Sequence, residues 1–388
     1  MRNDQYIEID GSPKHVPSTY IYNYSFQIEY QPLRNLFVSI GYEASAGHHL
    51  IRTIDMNRFT PGDSFDCTGC ANNKDMVQEA DVNNNPVTPR LTGNPNFDRI
   101  FFPLPDVNAN YNSLLLHVRK VYSHGFQIDG TYRWSKSLDT VSFGRGAQQP
   151  DPSQQHLDYG PSDFDVRHQF VLFGLWDVPI FTGQKGFLGK ALGGWQVNAV
   201  LTAHSGFPWT PEQGCCFFGT PGNVANDING DGIGNDFPTQ WDGQGGTASS
   251  NQNFINGVFP KNSAHPNGGF DYFNIAPGGA CPNFPIDCIT ARVRGGNGIG
   301  RNRFRGPIYR QIDMTLGKHT KLPSFRPLGE AAALDLRANF FNVFNMLNLP
   351  PFQTGGQSNT DFTNSGDFSR ATQGLAGRVI EFQIRLSF

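Results

Sequence analysis

An acidic stretch in the second half of the chain has the residue spacing of a calcium-binding loop. The oxygen donors at positions one, three, five, seven and nine of that loop would be Asp227, Asn229, Asp231, the carbonyl of Ile233, and Asn235. Calcium takes six to eight oxygens, and a chelating Glu normally stands at position twelve. Here the twelfth residue is Pro238. The sequence therefore predicts at most a weak Ca²⁺ site, with a polar turn as the alternative, and no other cofactor.

Other motifs that could bind a ligand or carry out catalysis are incomplete. The run Gly295-Gly-Asn-Gly-Ile-Gly300 is similar to a phosphate loop, but it precedes an expected strand instead of opening a helix. His48 and His49 could be imagined as metal ligands at a strand end, although we expect a loop role. The pair Cys67 and Cys70 lacks a second ligand pair at zinc spacing. Because no nucleophile, zinc-protease or Walker motif occurs, we expect no enzymatic activity.

The cysteines suggest an oxidising compartment. They form three close groups, Cys67/Cys70, Cys215/Cys216 and Cys281/Cys288. Local disulfides would explain this clustering. We expect Cys281 to pair with Cys288, and Cys67 to pair with Cys70 or with a cysteine of the second group.

Composition narrows the class of protein. The 388 residues include 44 Gly and 27 Pro, which disfavours a helix-rich fold, and only 16% are charged. The formal net charge of −3 gives no basic surface for nucleic acid. No apolar stretch approaches the roughly 20 residues of a transmembrane helix.

The strongest pattern is an alternation of apolar and polar residues with a period of two, which is typical of β-strands. In the last segment Ile380, Phe382, Ile384 and Leu386 alternate with polar residues, and the chain ends on Phe388. The predicted strands lie near residues 20–31, 35–46, 110–122, 125–138, 165–178, 195–206, 306–319, 332–345 and 377–388. The sequence therefore predicts an all-β fold of about nine strands.

Connections between these strands alternate between short and long. The short ones lie at Pro32 to Arg34, Ser123 to His124, Phe181 to Gly194 and Thr320 to Gly329. The long ones have about 63, 26, 99 and 31 residues (47–109, 139–164, 207–305 and 346–376), well beyond ordinary loops. Outer-membrane β-barrels have short periplasmic turns, long external loops and an apolar-out, polar-in alternation. This pattern favours an antiparallel transmembrane barrel over a secreted β-sandwich.

Residues on the two predicted faces suit that assignment. Aromatic residues near strand ends on the apolar face could form an interfacial girdle: Tyr30, Tyr42, Tyr122, Tyr132, Trp134 and Trp176. The polar face carries charges that we expect to pair across strands and to line a wet lumen: Glu29, Glu43, Arg119, Asp129, Arg133, Asp313, Asp335, Arg337, Glu381 and Arg385.

Several segments, taken in order, resemble the barrel of Oar-like TonB-dependent outer-membrane receptors. They are Tyr111 to His117, Ser123 to Asp139, Gly160-Pro-Ser-Asp-Phe-Asp-Val-Arg-His168, Gly194-Trp195, Ser205-Gly-Phe-Pro208, Gly300-Arg-Asn-Arg-Phe-Arg-Gly-Pro307 and Arg337 to Asn345. The resemblance implies a barrel of about 22 strands with a plugged lumen. Nine strands are far fewer. We therefore expect residues 1–388 to be the C-terminal part of such a barrel, with long extracellular loops and without the plug domain and TonB box.

The resemblance implies a receptor fragment in the Gram-negative outer membrane that takes part in binding and uptake of a substrate. Its expected partners are membrane lipid, an unknown extracellular substrate and, in a full-length protein, its own plug and the TonB complex. An adhesin or binding barrel without active transport is the alternative. Plug-coding sequence upstream of Met1 would distinguish the two.

Overall fold

Long antiparallel strands dominate the computed structural model of this chain. The structure describes residues 9–55, 79–80, 86–87, 100–142, 158–210, 238–241, 270–271, 289–291, 301–322, 332–352, 370–371 and 373–387. The long strands are β1 (Tyr20–Leu33), β2 (Leu36–Asp55), β3 (Ile100–Ser123), β4 (Phe126–Asp139), β5 (His168–Asp177), β6 (Trp195–His204), β7 (Tyr309–Lys321), β8 (Ala333–Phe341) and β9 (Val379–Ser387). A short helix, α1 (Gly186–Leu192), lies between β5 and β6.

Each long strand pairs with its neighbours in the chain, so the sheet is an up-and-down meander from β1 to β9. All of these pairings are antiparallel. Two short segments extend the sheet, since Ile9–Asp10 pairs with β3 and Gly160–Pro161 pairs with β4. Within the described residues, β1 and β9 do not pair with each other, and the sheet is open. The predicted all-β, antiparallel fold is confirmed.

The register aligns an apolar row across all nine strands on one face, although Val171, Phe173 and Leu175 of β5 lie on the opposite face. One row of register partners from β1 to β7 contains Tyr30, Val38, Val118, Gly130, Leu172, Leu201 and Ile312. Leu316, Ala338 and Phe382 continue the same face across β7, β8 and β9. Because side chains alternate between faces, the predicted inward charges all fall on the opposite, polar face.

In the described part of the chain, no second layer covers the apolar face. Phe382 is 80% exposed, Ile384 75%, Tyr30 67% and Phe26 65%. Nine strands spaced about 4.8 Å apart, with about ten residues each in the membrane, present an apolar area on the order of 1,000 Å². Soluble proteins rarely expose more than a few hundred Å². Lipid is the solvent that suits this face.

No helix of the described residues is long and apolar enough to cross a membrane.

Tight turns close one end of the sheet, which we call the turn end; the end with the long connections is the loop end. The β3–β4 turn has positive φ at His124 (54°) and Gly125 (77°), the conformation of a type I′ hairpin. The neighbouring β1–β2 turn is attached to it, because Asn35 Nδ2 donates a hydrogen bond to Ser123 Oγ at 2.6 Å. The β5–β6 connection at this end contains α1.

Two strands extend beyond their predicted limits. β2 continues to Asp55 and β3 begins at Ile100, whereas the alternation placed these limits near residues 46 and 110. At the loop end the pair is longer than the roughly ten residues needed to span a membrane. Its faces no longer separate lipid from water there, so the alternation fades although the backbone pairing continues. The other long strands begin and end within a few residues of the predicted limits.

Candidate functional site

Three long connections meet at the loop end on the polar face of the sheet. Their first and last residues pack together into what we call the loop-root network. Its members come from residues 139–142 after β4, 158–167 before β5, 205–210 after β6, 301–308 before β7 and 348–352 after β8. The network contacts Ser135 and Ser137 of β4, which, like Asp139, lie on the same face of the strand as the inward charge Arg133. Candidate binding loops therefore leave the sheet from fixed positions.

Arg301 is the centre of the network. Its side chain is only 9% exposed and forms ion pairs with Asp139 and, at 3.0 Å, with Asp163. The guanidinium also donates to Ser142 Oγ at 3.2 Å and to the backbone carbonyls of Asp139 and Asp158 at 3.0 and 3.1 Å. A planar group with five N–H donors is suited to such a set of acceptors. This one side chain therefore links both ends of the β4–β5 connection to the end of the β6–β7 connection that precedes β7.

Asn302 links the β6 root to the same network. Its backbone N–H donates to Thr210 Oγ1 at 2.6 Å, and that hydroxyl donates to Asn302 Oδ1 at 3.1 Å. The side-chain amide of Asn302 donates to Asp163 Oδ1 at 2.6 Å and to Pro161 O at 2.7 Å. Asn302 is 1% exposed and Thr210 is fully buried. Because buried polar groups are costly unless bonded, these contacts fix the relative positions of the roots.

A small aromatic cluster lies beside these polar contacts. The Trp209 ring centroid lies 5.7 Å from that of Phe304 and 4.9 Å from that of Phe352. All three side chains are at most 5% exposed. The backbones of Pro208–Trp209 and Phe304–Arg305 pair as a short ladder. Through Phe352, the cluster packs the segment after β8 against the segments after β6 and before β7.

A second arginine anchors the segment before β5. Arg305 forms an ion pair with Asp165, whose side chain is 1% exposed, and donates to the Asp165 carbonyl at 2.7 Å. Asp165 Oδ1 in turn accepts a hydrogen bond from the Ser137 backbone N–H at 2.6 Å. Close backbone approach requires glycine here, since a Cβ on Gly160 would lie 2.5 Å from Arg301 O and one on Gly206 would overlap the Gly306 carbonyl.

Asparagine side chains replace backbone pairing where the chain leaves β8. Asn342 closes a local turn, accepting from Met346 N and donating to Met346 O, both at 2.8 Å. Asn348 does the same with the backbone of Arg310, accepting and donating at 2.9 Å. Asn342 and Asn348 are 2% and 3% exposed. The β8 root is therefore ordered by side-chain amides that imitate strand hydrogen bonds.

The extended β2–β3 pair carries its own buried charge. Arg52, 1% exposed, donates from Nε and Nη2 to both carboxylate oxygens of Asp106, each at 2.7 Å. This bidentate geometry is the strongest form of the arginine–carboxylate contact. It stabilises the projection of the pair beyond the sheet.

Charged and polar side chains meet across strands on the polar face, between the neighbours β3 and β4 and, spanning β3, between β4 and β2. His117 Nε2 lies 2.9 Å and Arg119 Nε 3.9 Å from the Asp129 carboxylate. Arg133 lies 3.5 Å from Glu43. Their side chains remain 34% to 55% exposed, so each pair contributes little stability. A wall of exposed paired charges suits water or a polar partner far better than a dry sandwich core.

Most of the predicted ligand residues lie outside the described residues. This applies to the calcium-type loop at 227–235, to the glycine run at 295–300 and to all six cysteines. His48 and His49 are described: their Nδ1 atoms lie 3.1 Å from Asn108 Oδ1 and 3.3 Å from Pro105 O. Among the described residues, no group of three or more His, Cys, Asp or Glu side chains could hold a metal ion.

Sequence reasoning missed the loop-root network as a unit. Many of its members lie in four of the segments that carry the family resemblance, 123–139, 160–168, 205–208 and 300–307, to which no ligand chemistry was assigned. The available signal was the Arg-Asn-Arg order at 301–303 together with aspartates at 163 and 165. Complementary charges in distant loops point to a contact but do not identify the partners.

Together, the uncovered apolar face, the charged opposite face and the alternation of turns with long connections define a segment of a membrane β-barrel. A family model described as outer membrane beta barrel domain matches residues 3–383. The chain belongs to this family and is a protein of the outer membrane.

Several solved outer-membrane proteins align with this chain. The transporter YddB from Escherichia coli aligns with a TM-score of 0.43 at 8% identity, over 98% of this chain and 34% of YddB. The pyoverdine receptor FpvA from Pseudomonas aeruginosa aligns with a TM-score of 0.40 at 12% identity, over 100% and 32%. The ferric-catecholate import receptor Fiu from E. coli aligns with a TM-score of 0.38 at 10% identity, over 99% and 30%. This chain spans about a third of the length of these proteins. No curated protein matches it.

Proposed function

We propose that the chain is the C-terminal barrel part of a TonB-dependent receptor that binds an extracellular substrate and takes part in its uptake. The observation that carries this proposal is the position of the loop-root network on the polar face. In the proposed barrel, connections that leave the sheet from this network begin at the mouth of the lumen, where a captured substrate would enter. Loops that served only adhesion would have no need to be fixed on the lumen side.

The charged polar face supports the same proposal. Its exposed pairs, such as Arg133 with Glu43 and His117 with Asp129, offer hydrogen-bonding partners to a plug domain within the lumen. In this proposal membrane lipid contacts the opposite face. The chain has no catalytic role in it. The Oar-like subtype stays a prediction.

The test combines the gene with a binding assay. We expect plug-coding sequence directly upstream of the codon for Met1, and capture of the intact receptor by the periplasmic C-terminal domain of TonB. The 1–388 chain by itself is the matched control and should not be captured. If no plug-coding sequence is present and the intact outer-membrane protein does not bind TonB, the adhesin alternative replaces the receptor proposal.

A further inference from the structure

The connection between β5 and β6 carries a group of exposed apolar side chains. It contains α1 and the residues just before it. The exposed fractions are 86% for Phe187, 65% for Leu188, 54% for Phe181, 50% for Ile180 and 49% for Leu192. These side chains lie at the turn end, where the other described connections are short or polar. Water is a poor solvent for them, and their exposure needs a physical explanation.

Hydrogen bonds to β7 order the backbone of this connection. The Gln184 side chain donates to His319 O at 2.7 Å and accepts from Lys321 N at 3.1 Å. His319 N donates to Gly194 O at 2.8 Å. A Cβ on Gly193 would overlap the Phe181 carbonyl, so the backbone segments touch directly. These contacts attach the backbone of the connection to β7 and hold it at the turn end.

Lys318 shows on which side of the sheet α1 lies. It continues the apolar row of β7 after Met314 and Leu316, opposite Trp195 and Leu336 in the register. Its ammonium donates to the final carbonyls of the helix and its C-cap, those of Lys190, Ala191 and Gly193, at 2.8, 3.0 and 2.7 Å. The C-terminal end of α1 is therefore attached to the apolar face of the sheet.

This contact also explains a lysine on a face that contacts lipid. The helix carbonyls would otherwise lack partners, and a cation at a helix C-terminus is favoured by the helix dipole. The ammonium lies 4.8 Å from the centroid of the Trp195 ring, a cation–π arrangement. Tryptophan and lysine together are typical of the membrane interface.

We propose that α1, with Ile180 and Phe181, is an interfacial anchor that inserts into the phospholipid headgroup layer at the turn end. The apolar group continues the lipid-facing surface of the sheet. A seven-residue helix, about 10 Å long, is too short to span the bilayer but suits its interface. Lys185 and Lys190 flank the exposed Phe187 and Leu188, and basic residues attract anionic headgroups. Short turns lie on the periplasmic side of such barrels, so the anchor would contact the periplasmic leaflet.

Spin-label accessibility in bilayers tests this proposal. The intact protein carrying Phe187→Cys is labelled with a thiol-reactive nitroxide and reconstituted in phosphatidylethanolamine and phosphatidylglycerol. Collision of the label with oxygen, which concentrates in lipid, is compared with collision with a water-soluble nickel chelate. Phe382→Cys, at an equally exposed position on β9, is the lipid reference, and His124→Cys at a polar turn of the same end is the water reference. The unsubstituted protein gives the background from native cysteines.

We expect the oxygen-to-nickel ratio at Phe187 to exceed that at His124 by at least about threefold and to lie below that at Phe382, because a label in the headgroup layer is shallower than one on a membrane strand. A ratio equal to that of His124 would place α1 in water and overturn the proposal. Protection from both reagents would mean that another protein segment or a second copy covers α1, which would overturn it equally. Neither outcome bears on whether the receptor binds TonB, so the anchor and the proposed function are tested separately.

Discussion

Removing the guanidinium of Arg301 should loosen the roots of two long connections while leaving the membrane strands intact. In Arg301→Ala the carboxylates of Asp139 and Asp163 lose their partner in a place where Asp139 is only 5% exposed. The Ser142 hydroxyl and two backbone carbonyls lose a donor as well. The strands themselves are unaffected, because their hydrogen bonds do not involve this side chain.

The size of the effect follows from burial. Breaking a buried ion pair by removing one partner costs about 3–5 kcal/mol, since the other charge is left uncompensated. If this cost falls on local opening of the roots, their opening equilibrium rises roughly 100-fold to several-thousand-fold. A lysine at this position keeps the charge but cannot reach several acceptors with one planar group, so Arg301→Lys should recover only part of the loss.

Hydrogen exchange read by mass spectrometry measures this opening. The informative amides bond within the network: Asn302 to Thr210, Ser162 to Ser137, and Asp165 to Ser162. Their exchange should accelerate by the factor given above in Arg301→Ala. Arg303→Ala is the matched control, because Arg303 is exposed in the same segment. Equal exchange in the two variants would refute the central role of Arg301.

Three further predictions concern other parts of the chain. Ile384→Arg should destabilise the membrane-inserted receptor by about 2–4 kcal/mol in a chemical unfolding assay, because this side chain is 75% exposed on the apolar face, whereas Arg385→Ala on the polar face should cost much less; equal costs would contradict the assignment of faces. Calorimetric titration should show Ca²⁺ binding in the range of roughly 10⁻⁴ to 10⁻³ M that is lost in Asp231→Ala, and absent or unchanged heats would leave a polar turn. Mass mapping without reduction should find Cys281 bonded to Cys288, and six free thiols in protein from outer membranes would exclude this pairing.

The strands were predictable because the two faces of each strand contact different environments. On β9, Ile380, Phe382 and Ile384 must contact lipid while Glu381 and Gln383 face the lumen, so the pattern has a strict period of two. The periodicity needs no knowledge of neighbouring strands. It fails on the outer parts of β2 and β3, because a strand pair above the membrane no longer separates lipid from water. There the backbone pairing continues, and the buried Arg52 forms a bidentate ion pair with Asp106 of the facing strand.

The loop-root network was not predictable in the same way. Arg301 and Asp139 are 162 residues apart, and Arg305 and Asp165 are 140 apart. Nothing in the local sequence selects these partners from the other aspartates and arginines of the long connections. The β5–β6 connection shows the same limit. The sequence identified it only as a short connection, and the attachment of its helix to the apolar face depends on Lys318, which is distant in sequence.

The polar nature of the loop-root network is itself informative. A buried arginine–carboxylate pair seldom stabilises a protein more than well-packed apolar residues would. Its advantage is that hydrogen bonds are directional. The donors of Arg301 all find acceptors only when the segments after β4, before β5 and before β7 occupy their places. Apolar contacts, such as those of Trp209 with Phe304 and Phe352, tolerate small displacements. The combination of directional polar contacts and apolar packing holds the ends of the long connections in fixed positions on the polar face of the sheet.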